Sequence, residues 1–126
     1  MSEYSKAGTS NPTTKSGATI IQDPVTVKIT VREVGDEKTV IQNAKVAVFL
    51  TSDRTAVLNT ETDASGIATT TYAGPTPAEV EIRCRKALSA DSPRYVNYSC
   101  VQTIQAGTGL DFDVKLIKDI NFNIII

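Results

Sequence analysis

The sequence contains no histidine and no tryptophan, and only two of its 126 residues are cysteines. Without histidine, histidine-containing zinc sites, Ser-His-Asp triads and Cys-His dyads are all excluded. Two cysteines are too few for a four-thiolate metal site. We therefore expect no catalytic residues, no cofactor and no metal site, and we predict that the protein is not an enzyme.

The sequence also has little net charge and no long apolar run. The formal net charge is −1, which gives no bulk attraction to nucleic acid or to an anionic membrane. No run approaches the roughly 20 apolar residues that span a bilayer. The first ten residues, MSEYSKAGTS, lack the apolar core of an export signal. The sequence thus predicts a protein that is made and assembled in the cytoplasm, without membrane contact.

The chain begins with a polar segment. Twelve of the first 19 residues are Ser, Thr, Gly, Asn or Pro. Such a composition buries too little apolar surface to offset the conformational entropy that ordering removes. We expect residues 1–24 to form an extended, flexible arm that serves assembly.

From residue 25 onwards, apolar and polar residues alternate in short stretches. The stretches are VTVKITVREV, NAKVAVFL, TAVLNTETD, GIATTTY, AEVEIRCRK, YVNYSCVQTI and LDFDVKLI. Period-two alternation is typical of half-buried strands, and turn sequences such as GDEK at 35–38 separate them. About seven strands without a helix predict an all-β antiparallel β-sandwich over residues 25–119. A small Greek-key barrel is the alternative.

Two of these stretches carry a family resemblance. NAKVAVFL resembles the Gly-Ala-x-Val-x-Val strand of Ig-like and prealbumin-like sandwich modules, including carboxypeptidase regulatory-like domains, although Asn43 stands where Gly is usual. TETDASGIATTTY is similar to their Thr-Asp-x-x-Gly hairpin. The matching residues are Ala44, Val46, Val48, Thr62, Asp63 and Gly66. The resemblance implies an Ig-like β-sandwich. Hydroxyisourate hydrolases of the prealbumin-like group depend on histidine, which this chain lacks.

A narrower resemblance is to short Ig-like virion proteins of tailed bacteriophages. It extends over residues 25–119 and is carried by VTVKITV, VEIRCRKA, PRY and GLDFDVKLIKD. It implies a structural protein of the virion that is assembled in the host cytoplasm, binds other virion proteins and forms a homo-oligomer within a larger assembly. We favour capsid decoration over a neck, tail or baseplate position. The alternative is a carbohydrate- or cell-surface-binding Ig-like module.

Asp63 and Gly66 are the most distinctive polar motif. The Asp63 carboxylate is suited to accept backbone N–H groups in a turn, and Gly66 to supply a positive φ. A calcium site would need more converging oxygen atoms, for which Glu61 and Ser65 are candidates. We favour the structural turn.

Cys84 and Cys100 face each other if the intervening hairpin has its tip near Ser92, and they are then a candidate disulfide. In a reducing cytoplasm, free thiols that pack as small hydrophobic side chains are the better expectation. We therefore disfavour the disulfide.

Two further groups of residues can each be interpreted either as a binding site or as an ordinary part of the fold. Arg83, Arg85, Lys86 and Arg94 form a basic cluster. Glu79 and Glu81 lie on the same strand face as Arg83 and Arg85, which favours a mixed solvated face or a subunit-contact face over DNA binding. Tyr72, Tyr95 and Tyr98 are candidates for a sugar-stacking platform. We expect them instead to pack on sheet faces, with their hydroxyls reaching water or the backbone.

The last seven residues, INFNIII, are mostly apolar. Alternation places Phe122, Ile124 and Ile126 on one face of a strand. Left exposed, such a strand would be an open and aggregation-prone edge. Residues 120–126 therefore either form the domain's own last strand or pair with the sheet of a neighbouring subunit. We favour the second, with these three side chains as assembly contacts.

Overall fold

The computed structural model describes residues 23–119. Most of the expected arm and the whole of the expected C-terminal strand, with Phe122, Ile124 and Ile126, lie outside the described residues. Within residues 23–119 there are eight strands and no helix. The strands are β1 Val25–Glu33, β2 Asp36–Val40, β3 Lys45–Leu50, β4 Ala56–Glu61, β5 Ile67–Tyr72, β6 Ala78–Arg85, β7 Tyr98–Ile104 and β8 Leu110–Leu116.

The strands form two sheets of four. In sheet I, β1 is central: β8 lies parallel to it on one edge, and β5 and then β2 lie antiparallel to it on the other edge. In sheet II, the order is β4–β3–β6–β7 and all neighbours are antiparallel. The all-β sandwich predicted from the sequence is confirmed, with β1–β8 as its one parallel pair among the described strands.

The core lies between the two sheets and follows directly from the alternation. Strand β1 turns alternate valine and isoleucine side chains inward, and β6 does the same. The largest fully buried hydrophobic side chains are Val27, Ile29, Val31, Val46, Val48, Val80, Ile82, Ile104, Val114 and Leu116. Each such side chain contributes about 1.5–3 kcal/mol when it is removed from water. The inward rows therefore stabilise the sandwich, and they leave the outward rows free for other roles.

The structure corrects the prediction that residues 35–38 form a turn. The reversal after β1 takes only two residues, because Gly35 has a φ of 82° and two-residue hairpin turns need such positive φ values. Asp36–Val40 is therefore a strand, β2. Its charged sequence, DEKTV, concealed it, since an edge strand that covers little of the core shows weak apolar alternation.

The predicted strand YVNYSCVQTI is also shorter than expected. Strand β7 begins at Tyr98. The residues before it pair instead with residues 117–119, which follow β8 in sheet I. Tyr95 forms an isolated antiparallel bridge with Lys118, and the Asp119 N–H donates to the Arg94 carbonyl over 3.0 Å. The segment around residues 94–96 thus extends sheet I beyond β8.

Candidate interaction face

The outward row of β6 forms the centre of a polar surface whose side chains are joined by hydrogen bonds. Strand β6 alternates strictly, so that its small and aliphatic side chains enter the core and its charged side chains point outward. The outward residues are Glu79, Glu81, Arg83 and Arg85. The register places Phe49 of β3 and Val101 of β7 on either side of Glu81. We call this outer surface of sheet II, with the β3–β4 loop, the β6 face.

Glu81 is the hub of hydrogen bonds on the β6 face. Its carboxylate accepts from Arg54 over 2.9 Å, from Arg83 over 3.3 Å and from Ser99 over 3.2 Å. The Arg54 hydrogen bond, followed by that of Arg83, holds the pKa of Glu81 below its ordinary value. Glu81 is therefore ionised at neutral pH, so it has no proton to donate, and its lowered pKa makes it a weak base.

Arg54 also covers an aromatic ring. Its guanidinium carbon lies 5.2 Å from the centre of the Phe49 ring, within the range of a cation–π contact. The backbone holds this arrangement: Arg54 has a φ of 64°, a left-handed conformation that is costly for a residue with a side chain. Its N–H donates to the Leu50 carbonyl over 2.9 Å. Arg54 is thus placed on the β6 face by its loop.

A groove of about 450 Å³ runs along the β6 face. Its lining includes Lys45, Asn59, Arg83, Arg85 and Asn97. Lys45 pairs with Glu61 over 3.2 Å, outside the groove lining. Within the described part of the chain, Arg85 makes no ion pair or side-chain hydrogen bond, so its five N–H donors face the groove surface unused.

The groups on this face are of kinds that can contact a partner. It offers guanidinium and amide donors beside a half-buried aromatic ring. Arginine and aromatic residues are enriched at protein–protein interfaces, and guanidinium groups bind carboxylates in a bidentate manner. The arrangement suits a partner surface that carries carboxylates or exposed carbonyl groups.

Asp63 and Gly66 lie away from this face, in the turn between β4 and β5. The Asp63 carboxylate accepts the N–H of Ser65 over 2.8 Å and that of Ile67 over 3.0 Å. Thr62 is buried next to it, and its hydroxyl donates to the Ile41 carbonyl over 2.6 Å. These bonds close the turn, so both Asp63 and Thr62 act on backbone groups.

Gly66 is required by close packing as well as by its φ of 76°. A Cβ at this position would lie 2.7 Å from the Val40 Cβ and 2.9 Å from the Val31 carbonyl oxygen. The Gly66 carbonyl accepts the Val31 N–H over 2.8 Å. The turn therefore packs against β1 at the point where the antiparallel partner of β1 changes from β5 to β2.

The calcium ligands considered for this turn do not converge in the structure. Glu61 binds Lys45 over 3.2 Å and the Asn43 amide over 3.3 Å, while Asp63 is engaged by the backbone. Among residues 23–119, no three His, Cys, Asp or Glu side chains lie close enough together to hold a metal ion. The same residues include no helix long and apolar enough to cross a membrane.

The cysteines are not directly opposite each other. Cys84 pairs with Tyr98 and Cys100 with Ile82, so the predicted register is wrong by two residues. The tip of the loop between β6 and β7 lies before Ser92, since Ser89 and Ser92 form a bridge across it. Both thiols are free. Burial raises the pKa of Cys84 to about 12, and a protonated thiol is a weak nucleophile.

The three tyrosines do not form a platform. The Tyr95 hydroxyl donates a hydrogen bond to the Glu33 carboxylate over 2.7 Å. The Tyr72 hydroxyl donates to the Pro75 carbonyl over 2.9 Å. Burial raises the pKa of Tyr95, and so does the hydrogen bond with Glu33. Burial, together with a hydrogen bond with Cys100, raises the pKa of Tyr98 to about 12. All three rings pack as part of the fold.

The basic cluster is divided in the structure. Arg83 and Arg85 lie on the β6 face, whereas Lys86 is buried and donates to the Ala87 carbonyl over 2.8 Å. Arg94 pairs with Asp119 over 2.5 Å. Sequence reasoning missed Arg54, because its position over Phe49 depends on the β3–β4 loop conformation, which residue spacing does not encode.

No protein-family model matches this chain, and no curated protein matches it. Among solved structures, the chain is similar to the Bacillus anthracis TIE protein, with 15% sequence identity and a TM-score of 0.59. The match covers 90% of this chain and 20% of that one, so this chain spans about a fifth of its length. At this identity the likeness shows the fold alone, and that fold is the all-β sandwich described above.

Proposed function

We propose that the protein is a non-enzymatic structural component of a tailed-bacteriophage virion that binds neighbouring virion proteins through the β6 face. Capsid decoration is favoured over a neck, tail or baseplate position. The observation that carries the proposal is the arrangement of the β6 face: Glu81 holds Arg54 and Arg83 in place, and Arg85 beside them lines the groove. The phage setting is supported by the resemblance over residues 25–119.

The groove chemistry favours a protein partner. Fixing Arg54 and Arg83 before binding reduces the side-chain entropy that is lost when a complex forms. Arg85 then supplies the donor that the chain itself does not use. Although the Ser99 hydroxyl donates to Glu81 over 3.2 Å, the lowered pKa of that carboxylate makes it a weak base, so binding accounts for the chemistry of this face better than catalysis.

The test is incorporation of variants into particles of the phage that encodes the chain. Arg85→Glu reverses the charge at the unused guanidinium, and we expect its copy number per particle to fall at least about tenfold, as for the loss of one good charged interface contact. Lys38→Glu is the charge-matched control, since Lys38 is exposed on β2 of sheet I. Quantitative mass spectrometry of purified particles gives the readout.

Equal incorporation of wild type and Arg85→Glu would refute the role of the β6 face. Absence of the wild-type chain from purified particles would refute the virion function itself. Both variants keep the buried core unchanged, so a thermal melt of each purified protein separates a binding defect from a folding defect.

A carbohydrate-binding module is the second candidate function, and one observation favours it. The groove combines the amides of Asn59 and Asn97 with the Ser99 hydroxyl and the Phe49 ring, groups that also recognise sugar hydroxyls and faces. A glycan array with the isolated protein tests this function. Specific binding that Asn59→Ala abolishes would favour it over the virion role.

A further inference from the structure

Three exposed hydrophobic side chains lie together at one end of sheet I. Val34, Val96 and Ile117 have exposed fractions of 47%, 48% and 58%. They come from three separate segments: the β1–β2 turn, the segment before β7, and the residue after β8. We call them the apolar row.

The backbone pairing brings them side by side. The Val34 N–H donates to the Leu116 carbonyl over 3.0 Å, which continues the parallel β1–β8 register and places Val34 next to Ile117. The Val96 N–H donates to the Ile117 carbonyl over 2.8 Å, next to the bridge between Tyr95 and Lys118. Directly paired residues point to the same face of a sheet. The row therefore spans two strand spacings, about 10 Å.

The apolar row differs from the rest of the outer surface of sheet I. The neighbouring outward residues on β1 and β8 are charged, and Arg32 pairs with Asp113 over 3.3 Å. The row is thus a confined apolar strip at the end of a polar face. Exposed apolar side chains that cluster, unlike ones scattered singly, are candidates for a contact site.

The chain itself supplies a matching segment. The described part ends at Asp119, two residues beyond Ile117, and five of the seven residues that follow, INFNIII, are apolar. We propose that the apolar row is the docking surface for residues 120–126 of a second copy of this chain, exchanged reciprocally between two copies. The contact goes beyond the proposed function, because it needs no virion protein.

A return of the chain's own residues 120–126 onto the row is the less favourable route. Both edges of the segment around Ile117 are already hydrogen-bonded, to Val34 on one side and to residues 94–96 on the other. To cover the row from above, residues 120–126 would have to leave the sheet by about 10 Å, the spacing of packed layers, and then reverse direction. Seven residues reach at most about 25 Å, which leaves little length for both the rise and the return.

A second copy requires no reversal. The apolar row and Asp119, the last described residue, lie at the same end of the sandwich, so a two-fold axis at this end would bring both exchanged segments into one interface. Reciprocal exchange of identical elements is a common route to a symmetric dimer. Each copy then covers the exposed side chains of the other.

Sedimentation velocity of the full chain at micromolar concentration tests the inference. We expect a dimer. A chain lacking residues 120–126 keeps the row but has no segment to donate, and the double variant Val96→Asp, Ile117→Asp keeps the segment but has no row. Each should be a folded monomer, and an equimolar mixture of the two should form a heterodimer through one exchange.

Val101→Asp is the matched control, because Val101 is 54% exposed on β7 of the other sheet. This variant should remain a dimer. If the aspartates unfold the row variant, Val96→Thr with Ile117→Thr keeps strand-forming side chains, and its dimer should dissociate at least about tenfold more readily.

Three results would overturn the inference. They are a monomeric wild type, a dimer that persists in the folded row variant, and unfolding of the chain without residues 120–126, which would make that segment part of its own core. None of these bears on particle incorporation of Arg85→Glu, so failure here and failure of the proposed function remain distinguishable.

Discussion

The β6 face and the apolar row are both outward surfaces, yet they differ in how many of their side chains have contacts within the chain. On the β6 face, Glu81 engages Arg54, Arg83 and Ser99, so most polar groups have partners within the chain. The apolar row leaves Val34, Val96 and Ile117 about half exposed. The difference indicates that the first surface is organised before it binds, whereas the second needs a partner to be covered.

The largest expected loss of stability comes from a substitution in the turn between the two sheets, and it should affect both surfaces. Gly66→Ala should lower the free energy of unfolding by about 2–3 kcal/mol, through a strained positive φ and a clash with the Val31 carbonyl. The turn joins β4 of sheet II to β5 of sheet I, so its loss weakens the support of both surfaces. Chemical denaturation gives the measurement.

Gly35→Ala is the matched control for this change. Gly35 also has a positive φ, 82°, but a Cβ there would meet nothing within 4 Å. Its cost should be about 1 kcal/mol, the backbone term alone. Equal destabilisation by the two substitutions would show that packing against β1 contributes nothing.

A smaller effect should be confined to the end of the molecule that carries the apolar row. Tyr95→Phe removes the hydroxyl that donates to Glu33 over 2.7 Å and should lower the free energy of unfolding by about 1 kcal/mol. Tyr72→Phe is the control, because its hydroxyl bond to Pro75 is exposed and should contribute less. A larger loss from Tyr72→Phe would contradict this ranking.

The smallest effect should be a pH dependence specific to the β6 face. Because the folded-state pKa of Glu81 lies below its ordinary value of 4.5, its stabilising contribution is present above pH 4.5 and is lost as the pH falls through the folded-state pKa. The stability difference between wild type and Glu81→Gln should therefore shrink on acidification. A constant difference between pH 3 and 7 would exclude a charged role for Glu81.

The sequence predicted those parts of the fold that depend on local alternation. Strands β1, β3, β6 and β8 follow it closely, since each buries one face on the core. It missed β2, an edge strand with little apolar content. It also misjudged where β7 begins, because residues 94–96 pair with a distant segment.

The candidate site was predictable only in part. The outward charges of β6 could be assigned from its alternation, but the position of Arg54 over Phe49 depends on a loop with a left-handed residue. The register error at Cys84 and Cys100 has a similar origin, since loop conformation sets the pairing. Long-range pairing likewise creates the apolar row, whose three members are far apart in sequence.

The most direct test of the central claim is a cryo-electron microscopy map of the phage particle at side-chain resolution. We predict density for the eight-stranded sandwich, with the β6 face against a neighbouring virion protein and Arg85 within hydrogen-bonding distance of a partner oxygen. A particle without this chain, or one in which the β6 face is open to solvent, would contradict the account.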